Sequence, residues 1–193
     1  GQLTSVRYCT RGQWHEKPAS MLLLHHGVVA NTHASLSLGA AHRWISLQRC
    51  FAPVVDAWGR TSIEGYAAAG DCAGIVGAEA AAIQGRLAAL EAARALGAIS
   101  ESIRDREAIS LHRELDQYLP IRPFIDRLFA PRDNFLAPAD DVLVCRCENI
   151  TARQIRAAVR LGCVGPNQMK AFTRCGMGPC QGRMCGLTAT EII

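Results

Sequence analysis

The chain has 193 residues, 49% of them hydrophobic, and a formal net charge of +4, so it can form one large folded core or two small ones. Its nine cysteines are an odd number, and six of them lie between residues 145 and 185, which argues against the disulfide framework of a small secreted domain. No apolar run is long enough to span a bilayer and none resembles a signal peptide, so we expect a cytoplasmic protein, or one held peripherally at the inner membrane, with no transmembrane segment.

The positive charge lies in the last quarter of the chain. Residues 141–193 carry seven basic and three acidic side chains, whereas residues 1–140 are neutral. No nucleic-acid recognition motif accompanies the charge, so we expect no nucleic-acid partner. A cluster of thiolates would be negative, and cations beside it would stabilise that charge.

The first 60 residues predict short elements. Residues 3–9 alternate as in a half-buried strand, and the apolar run Met21–Leu24 is typical of a buried parallel strand. Residues 34–38 predict a brief helix, and residues 40–60 an irregular segment. The chain begins without Met inside the first of these strands, so we expect it to be a piece of a longer polypeptide.

The middle of the chain predicts a helical pair. Residues 66–69 suit a short strand ended by Gly70-Asp71. The Ala- and Leu-rich run 78–96 predicts a long helix stopped by Gly97, and residues 100–118 predict a second one.

Four prolines then mark a connection between two domains. We predict a first domain over 1–118, a Pro-rich linker over 119–140 and a second domain over 141–193.

The second domain predicts three short helices around a small core. Thr151 and Gln154 have the spacing of a capping box, and Gln168–Thr173 suits another helix. Pro179 is placed to open a third, whose free amides would face a metal centre at Cys180. So small a unit needs a staple, and a bound metal would supply one.

Five cysteines fall in two tight clusters, Cys145-Arg-Cys147 and Cys175-x₄-Cys180-x₄-Cys185. Thiolates select iron–sulfur clusters, zinc or copper(I). Three interpretations remain open on spacing alone, which are an iron–sulfur cluster, a structural zinc site and buried thiols without a metal. A C-x-C pair is atypical of zinc sites. The last of the three interpretations suits the four other cysteines, Cys9, Cys50, Cys72 and Cys163.

Residues 143–190 resemble the BFD-like (bacterioferritin-associated ferredoxin-like) [2Fe–2S] domain, in the form C-R-C-E-x-[IV]-T … T-R-x-G-M-G-P-C-Q-G-R-x-C. The resemblance implies a [2Fe–2S] cluster held by Cys145, Cys147, Cys180 and Cys185. Cys175 is an additional thiol. Because it precedes Cys180 by five residues and Cys185 follows by five, the second ligand pair stays open.

Residues 61–74 are similar to the second FAD fingerprint of flavoproteins with two dinucleotide-binding domains. The resemblance implies that FAD contacts the segment Gly70, Asp71, Gly74, Gly77 and Ala78, with Asp71 accepting a hydrogen bond from the ribityl chain. The segment 25–31 resembles the G-x-x-P-N turn of the same family, with Ala30 in place of Pro. No G-x-G-x-x-G occurs, so the FAD site is incomplete in this chain. No motif supports an NAD(P) site.

Together these features resemble the A subunits of opine oxidases, of hydrogen cyanide synthase and of related FAD-dependent amino-acid dehydrogenases. The implied fold is a portion of an α/β flavoprotein followed by a small all-helical [2Fe–2S] domain. The implied function is electron transfer within a flavin-dependent oxidoreductase that oxidises an opine or amino-acid-like amine on an FAD-containing beta subunit. Neither the substrate nor the electron acceptor is specified, and no catalytic residue is implied. The alternative is a docking module that a metal stabilises without redox turnover.

Overall fold

The computed structural model describes residues 1–25 and 27–193. It is a mixed structure of short antiparallel hairpins and helices. The strands are β1 (Ser5–Thr10), β2 (Gln13–Pro18), β3 (His42–Ile45), β4 (Cys50–Pro53), β5 (Leu143–Cys145) and β6 (Ile150–Thr151). The helices are α1 (His33–Ser37), α2 (Ala78–Ala95), α3 (Glu101–Tyr118), α4 (Arg122–Leu128), α5 (Asp133–Leu136), α6 (Ala152–Arg160), α7 (Pro166–Thr173) and α8 (Gly186–Ile192).

The expected first strand is present as one arm of a hairpin. β1 pairs with β2 in register from Ser5 opposite Pro18 to Thr10 opposite Gln13. Arg11 and Gly12 connect them with φ angles of 52° and 79°, which a tight two-residue hairpin turn requires. Helix α1 also forms where it was expected.

The prediction of a buried strand at Met21–Leu24 is wrong. These four side chains are 49–85% exposed, and the segment has no regular secondary structure. A strand needs a neighbour that completes its hydrogen bonds, and no described strand pairs with this run.

Two further predictions in this half are wrong. Residues 40–60 contain the β3–β4 hairpin, in which His42 lies opposite Pro53, a strand-end position that proline tolerates. Residues 66–69 form no strand, because only an isolated bridge joins Arg60 to Ala67. The Thr61 hydroxyl donates to the Tyr66 carbonyl at 2.8 Å and closes this segment into a loop.

The predicted helical pair is confirmed in α2 and α3. The helices pack as a hairpin around a core of Ile83, Leu87, Ala108 and Leu111. Gly97 follows α2 with a φ of 74°, the left-handed conformation that commonly ends a helix. Among the described residues, no helix combines the length and apolar character needed to cross a membrane.

The Pro-rich segment 119–140 is folded. It contains a 3₁₀ turn at Leu119–Ile121 followed by α4 and α5. Asp126 on α4 accepts a hydrogen bond of 2.9 Å from Gln48, and Leu136 on α5 is buried. The domain boundaries at 118 and 140 stay a prediction.

The C-terminal unit is built from the β5–β6 hairpin and three helices, so it is not all-helical as expected. The backbone N–H of Thr151 donates to Gln154 at 2.8 Å and completes the predicted capping box of α6. The predicted helix at Pro179 is wrong. Residues 178–185 form successive turns, because Gln181 and Gly182 have positive φ angles, and α8 begins only at Gly186.

Candidate metal centre

Two loops bring the clustered cysteines together. The first loop, residues 145–149, connects β5 to β6, with a register irregularity between Leu143 and Cys145 and a φ of 57° at Asn149. The second loop, residues 174–185, begins at Arg174, which ends α7 in the left-handed conformation. Both backbones therefore turn sharply beside their cysteines, which neighbouring C-x-C thiols need if they are to face one centre.

Three thiols form the buried triad, which consists of Cys145, Cys175 and Cys185. Their sulfur atoms all lie within 4.8 Å of one another. The three residues are 1%, 4% and 1% exposed and belong to the core of the C-terminal unit, beside Ile155 and Met169. The triad is therefore part of the core and also a group of potential metal ligands.

Two further thiols form the outer pair, which consists of Cys147 and Cys180. Cys147 is exposed and Cys180 is half-buried. Their sulfurs hydrogen-bond to each other, and the backbone N–H of Cys180 donates to the Cys147 sulfur. Cys147 also interacts electrostatically with Cys145, and Cys180 with Cys175 and Cys185. All five thiols thus belong to one group.

Hydrogen bonds and burial shift the pKa values of four thiols in the group. The hydrogen bond between Cys175 and Cys185 lowers the pKa of Cys175, and that bond together with burial raises the pKa of Cys185. The backbone N–H of Met184 and then the Cys147 thiol lower the pKa of Cys180. For Cys147, the Cys180 N–H lowers the pKa, but the Cys180 thiol, desolvation and Cys145 together raise it. A soft metal binds thiolates, so metal binding would release the remaining protons.

A glycine lets the two loops approach. A Cβ atom added at Gly178 would lie 2.1 Å from the Cys147 Cβ and 3.2 Å from its sulfur. The Arg174 side chain also donates to Glu148 at 3.0 Å and joins the loops at the surface. The close packing at Gly178 therefore fixes the position of Cys147 relative to Cys180.

The donor set fits an iron–sulfur cluster. The four ligands expected from the resemblance, Cys145, Cys147, Cys180 and Cys185, all lie in this group. The structure adds Cys175 to the buried triad, whereas spacing left its place open. All nine cysteines are free thiols, and the remaining four lie outside the group. The assignment of four ligands stays a prediction.

A cavity of about 490 Å³ lies beside the buried triad. One wall comes from the segment 29–36 and from β4, and the other from α7, the second cysteine loop and α8. Cys175 and Cys185 line it. The cavity therefore connects the thiol group with the N-terminal half of the molecule.

The residues expected at FAD lie together on one turn before α2. Residues Gly70–Ala73 form a 3₁₀ turn, and Asp71 Oδ1 accepts the backbone N–H groups of Val76 and Gly77 at 3.0 and 3.3 Å. Gly77 precedes Ala78, the first residue of α2. Gly70, Gly74 and Gly77 all have positive φ angles. Their role toward FAD stays a prediction.

The segment 25–31, expected to form the family turn, lies only partly within the described residues. His26 is outside them. His25 Nδ1 accepts the backbone N–H of Gly27 at 3.3 Å. Ala30 is buried and lies on the wall of the cavity.

Comparison with known proteins agrees with the site. Residues 143–193 match the family described as the BFD-like [2Fe-2S] binding domain. The chain is 47% identical over 97% of its length to the opine oxidase A polypeptide of Rhizobium meliloti, and 47% identical over 98% to that of Agrobacterium tumefaciens (strain Ach5). It is 37% identical over 86% of its length to the HcnB polypeptide of hydrogen cyanide synthase from Pseudomonas aeruginosa. The chain spans 36–38% of the lengths of these relatives.

A solved structure shares the fold. The crystal structure of L-proline dehydrogenase from P. horikoshii matches 92% of this chain with a TM-score of 0.69 and 20% identity, and the match covers 34% of that chain. The mixed α/β architecture is thus shared with part of this dehydrogenase. The expected resemblance is confirmed, since the chain is similar over nearly its whole length to a portion of the A subunits of opine oxidases and its residues 143–193 match the BFD-like [2Fe–2S] binding domain family.

Proposed function

We propose that this chain is a portion of the electron-transfer subunit of a flavin-dependent oxidoreductase that oxidises an opine or an amino-acid-like amine. One observation carries the proposal. Five thiols from two loops converge inside the segment that matches a BFD-like [2Fe–2S] domain. The names of the relatives, opine oxidase and hydrogen cyanide synthase subunits, support the reaction class.

Cys145, Cys147, Cys180 and Cys185 are the proposed ligands. A [2Fe–2S] cluster held by four thiolates accepts and releases single electrons, at a potential set partly by hydrogen bonds to sulfur and by burial. Backbone N–H groups of Gly182, Arg183 and Met184 point to the Cys180 sulfur and stabilise its negative charge. The excess of cations in residues 141–193 acts in the same direction.

The turn before α2 is the proposed contact of this chain with FAD, through Gly70, Asp71, Gly74, Gly77 and Ala78. The turn precedes an 18-residue helix, whose N-terminus favours negative charge. Asp71 is exposed, and its hydrogen bonds to Val76 and Gly77 hold the carboxylate in place. The substrate would be oxidised on an FAD-containing beta subunit.

The test is purification without oxygen followed by iron, sulfide and zinc analysis and an absorption spectrum. We expect two irons and two sulfides per chain, with visible bands that bleach when one electron is added. A colourless protein with stoichiometric zinc would overturn the proposal.

One observation favours the second candidate, a docking unit that zinc stabilises without redox turnover. The three triad sulfurs lie within 4.8 Å of one another inside the core, a spacing that a single tetrahedral ion accommodates. The same metal analysis separates the two candidates.

A further inference from the structure

The thiol group contains one sulfur more than the cluster needs. A [2Fe–2S] cluster takes four cysteine ligands, and each iron binds two of them because bridging sulfides fill its other two positions. Five thiols interact here. One is left without an iron.

The geometry shows on which side the surplus lies. The outer pair consists of two thiols, Cys147 and Cys180, which hydrogen-bond to each other. The buried triad consists of three thiols whose sulfur atoms all lie within 4.8 Å of one another. The outer pair therefore suits one iron, and two members of the triad suit the other. The surplus thiol is a member of the triad.

Within the triad, Cys175 and Cys185 have similar positions. They flank Cys180 at the same separation of five residues on either side. Both are buried, they hydrogen-bond to each other, and each also interacts with Cys145. Cys145 lies on the other loop and is therefore the shared partner of both.

We propose that Cys175 and Cys185 are interchangeable ligands, so that the buried iron is bound by Cys145 together with either one, while Cys147 and Cys180 bind the outer iron without a substitute. The inference rests on the proposed cluster. In the exchange, the bond from iron to the Cys185 sulfur breaks and a bond to the Cys175 sulfur forms, while the Cys175 proton passes to Cys185. No electron is transferred, and the total charge is unchanged.

The test uses alanine variants, because alanine cannot replace a thiolate as serine oxygen can. The variants are C175A, C185A, C175A/C185A, C147A and C180A, each purified without oxygen and supplied with ferrous iron and sulfide. Iron and sulfide per chain, the visible spectrum and the electron paramagnetic resonance spectrum of the reduced cluster are the readouts. Cys163→Ala is the control, since Cys163 is equally buried in the same core and lies outside the thiol group.

We expect C175A and C185A each to keep at least half of the wild-type iron and sulfide, with an all-thiolate absorption spectrum. C147A, C180A and the double variant should keep less than a tenth, and C163A should equal wild type. If the alanine double variant shows a circular dichroism spectrum of unfolded protein, the double variant C175V/C185V repeats the test with side chains that fill more of the space and cannot bind iron.

A C185A protein with as little iron as the double variant would overturn the proposal, because Cys175 would then be unable to replace Cys185 as a ligand. A C175A protein without iron would also overturn it, because Cys185 would then be unable to replace Cys175. A double variant that still binds iron and sulfide would contradict it as well. Failure of the wild-type chain to bind iron and sulfide is a separate result, since it overturns the proposed function itself.

Discussion

At the scale of single residues, the contact between Gly178 and Cys147 decides whether the two cysteine loops can meet. Any side chain at position 178 would occupy the space of the Cys147 Cβ, which lies 2.1 Å from the position of an added Cβ. The φ angle of Gly178 is not in the left-handed region. Close approach is therefore the reason for glycine here.

Gly178→Ala should separate the loops. We expect the variant to lose most of its bound iron. Its free energy of unfolding should fall by roughly 1–3 kcal/mol, the usual cost of an added methyl group in a packed region. Iron analysis and urea unfolding measure the two effects.

Gly186→Ala is the matched control, since an added Cβ there meets no atom within 4 Å. We expect it to bind as much iron as wild type. Equal iron in the Gly178→Ala protein would show that the loops are not limited by this contact.

The sequence predicted the identity of the thiols better than their arrangement. The sequence shows which cysteines are clustered, but the direction in which each sulfur atom points depends on the backbone conformation. Arg174 and Gln181 adopt left-handed conformations without being glycine, and no composition rule announces such residues. For this reason the spacing could not place Cys175, which lies five residues from Cys180 just as Cys185 does.

At the scale of elements, a buried ion-pair network joins α2 and α3. Glu91 on α2 accepts hydrogen bonds from Arg94 at 2.7 and 2.9 Å and from Arg104 on α3 at 2.6 Å. The Arg104 guanidinium lies 4.3 Å from the Trp58 ring centroid. The hydrogen bonds from Arg94 and Arg104 lower the pKa of Glu91 to about 2, against the opposing effect of burial.

Glu91→Gln should therefore destabilise the protein in a pH-dependent way. The carboxyl has a lower pKa in the folded chain than in the unfolded one, so its contribution is complete above about pH 4.5 and disappears as the pH falls toward 2. We expect a loss of about 3 kcal/mol at pH 7. Urea unfolding of metal-free protein at pH 7 and pH 3, followed by helical circular dichroism, should show a smaller difference at pH 3.

Glu107→Gln is the control for this prediction. Glu107 lies on the exposed face of the same helical pair and makes only a 3.4 Å contact with Arg106, so its replacement should change the free energy of unfolding by less than about 1 kcal/mol. A pH-independent loss in Glu91→Gln would contradict the role assigned to the carboxylate.

Helices were predicted more successfully than strands for a physical reason. The α2–α3 pair and the cap of α6 depend on residues three or four apart, so the local sequence specifies them. Met21–Leu24 has the composition of a strand, but a strand forms only beside another strand. The β3–β4 hairpin was missed because Pro53 suggests a break, although it stands harmlessly at a strand end.

At the scale of the whole molecule, two cores of different character share the described chain. The α2–α3 core is aliphatic, whereas the C-terminal core contains four thiols, namely Cys145, Cys163, Cys175 and Cys185. Arg49, in the β3–β4 turn, forms ion pairs with Asp133 and Glu191 at 2.5 and 3.5 Å and so links the halves. Of these two cores, only the C-terminal one should depend on metal for its stability.

Removal of the metal by a chelator under reducing conditions should therefore act on one core. We expect hydrogen exchange to accelerate at least tenfold in α6, α7 and α8, because the proposed ligands, of which Cys145 and Cys185 are buried in this core, would lose the metal that joins them. Exchange in α2 and α3 should stay within a factor of two of the loaded protein.

The internal control is the α2–α3 pair itself, measured in the same sample. Equal acceleration in both cores would mean that the metal stabilises the molecule as one unit. No acceleration in either core would mean that the metal adds nothing to stability. That result would contradict the inference that so small a core needs a bound metal to stabilise it.

The uneven exposure of the thiols gives metal loading a direction. Cys147 is exposed and Cys180 half-buried, while Cys145, Cys175 and Cys185 face the core. On exposure alone, we expect an incoming iron, a chelator or an oxidant to reach the outer pair first. If the proposed cluster forms, loss of metal should therefore begin at the outer pair.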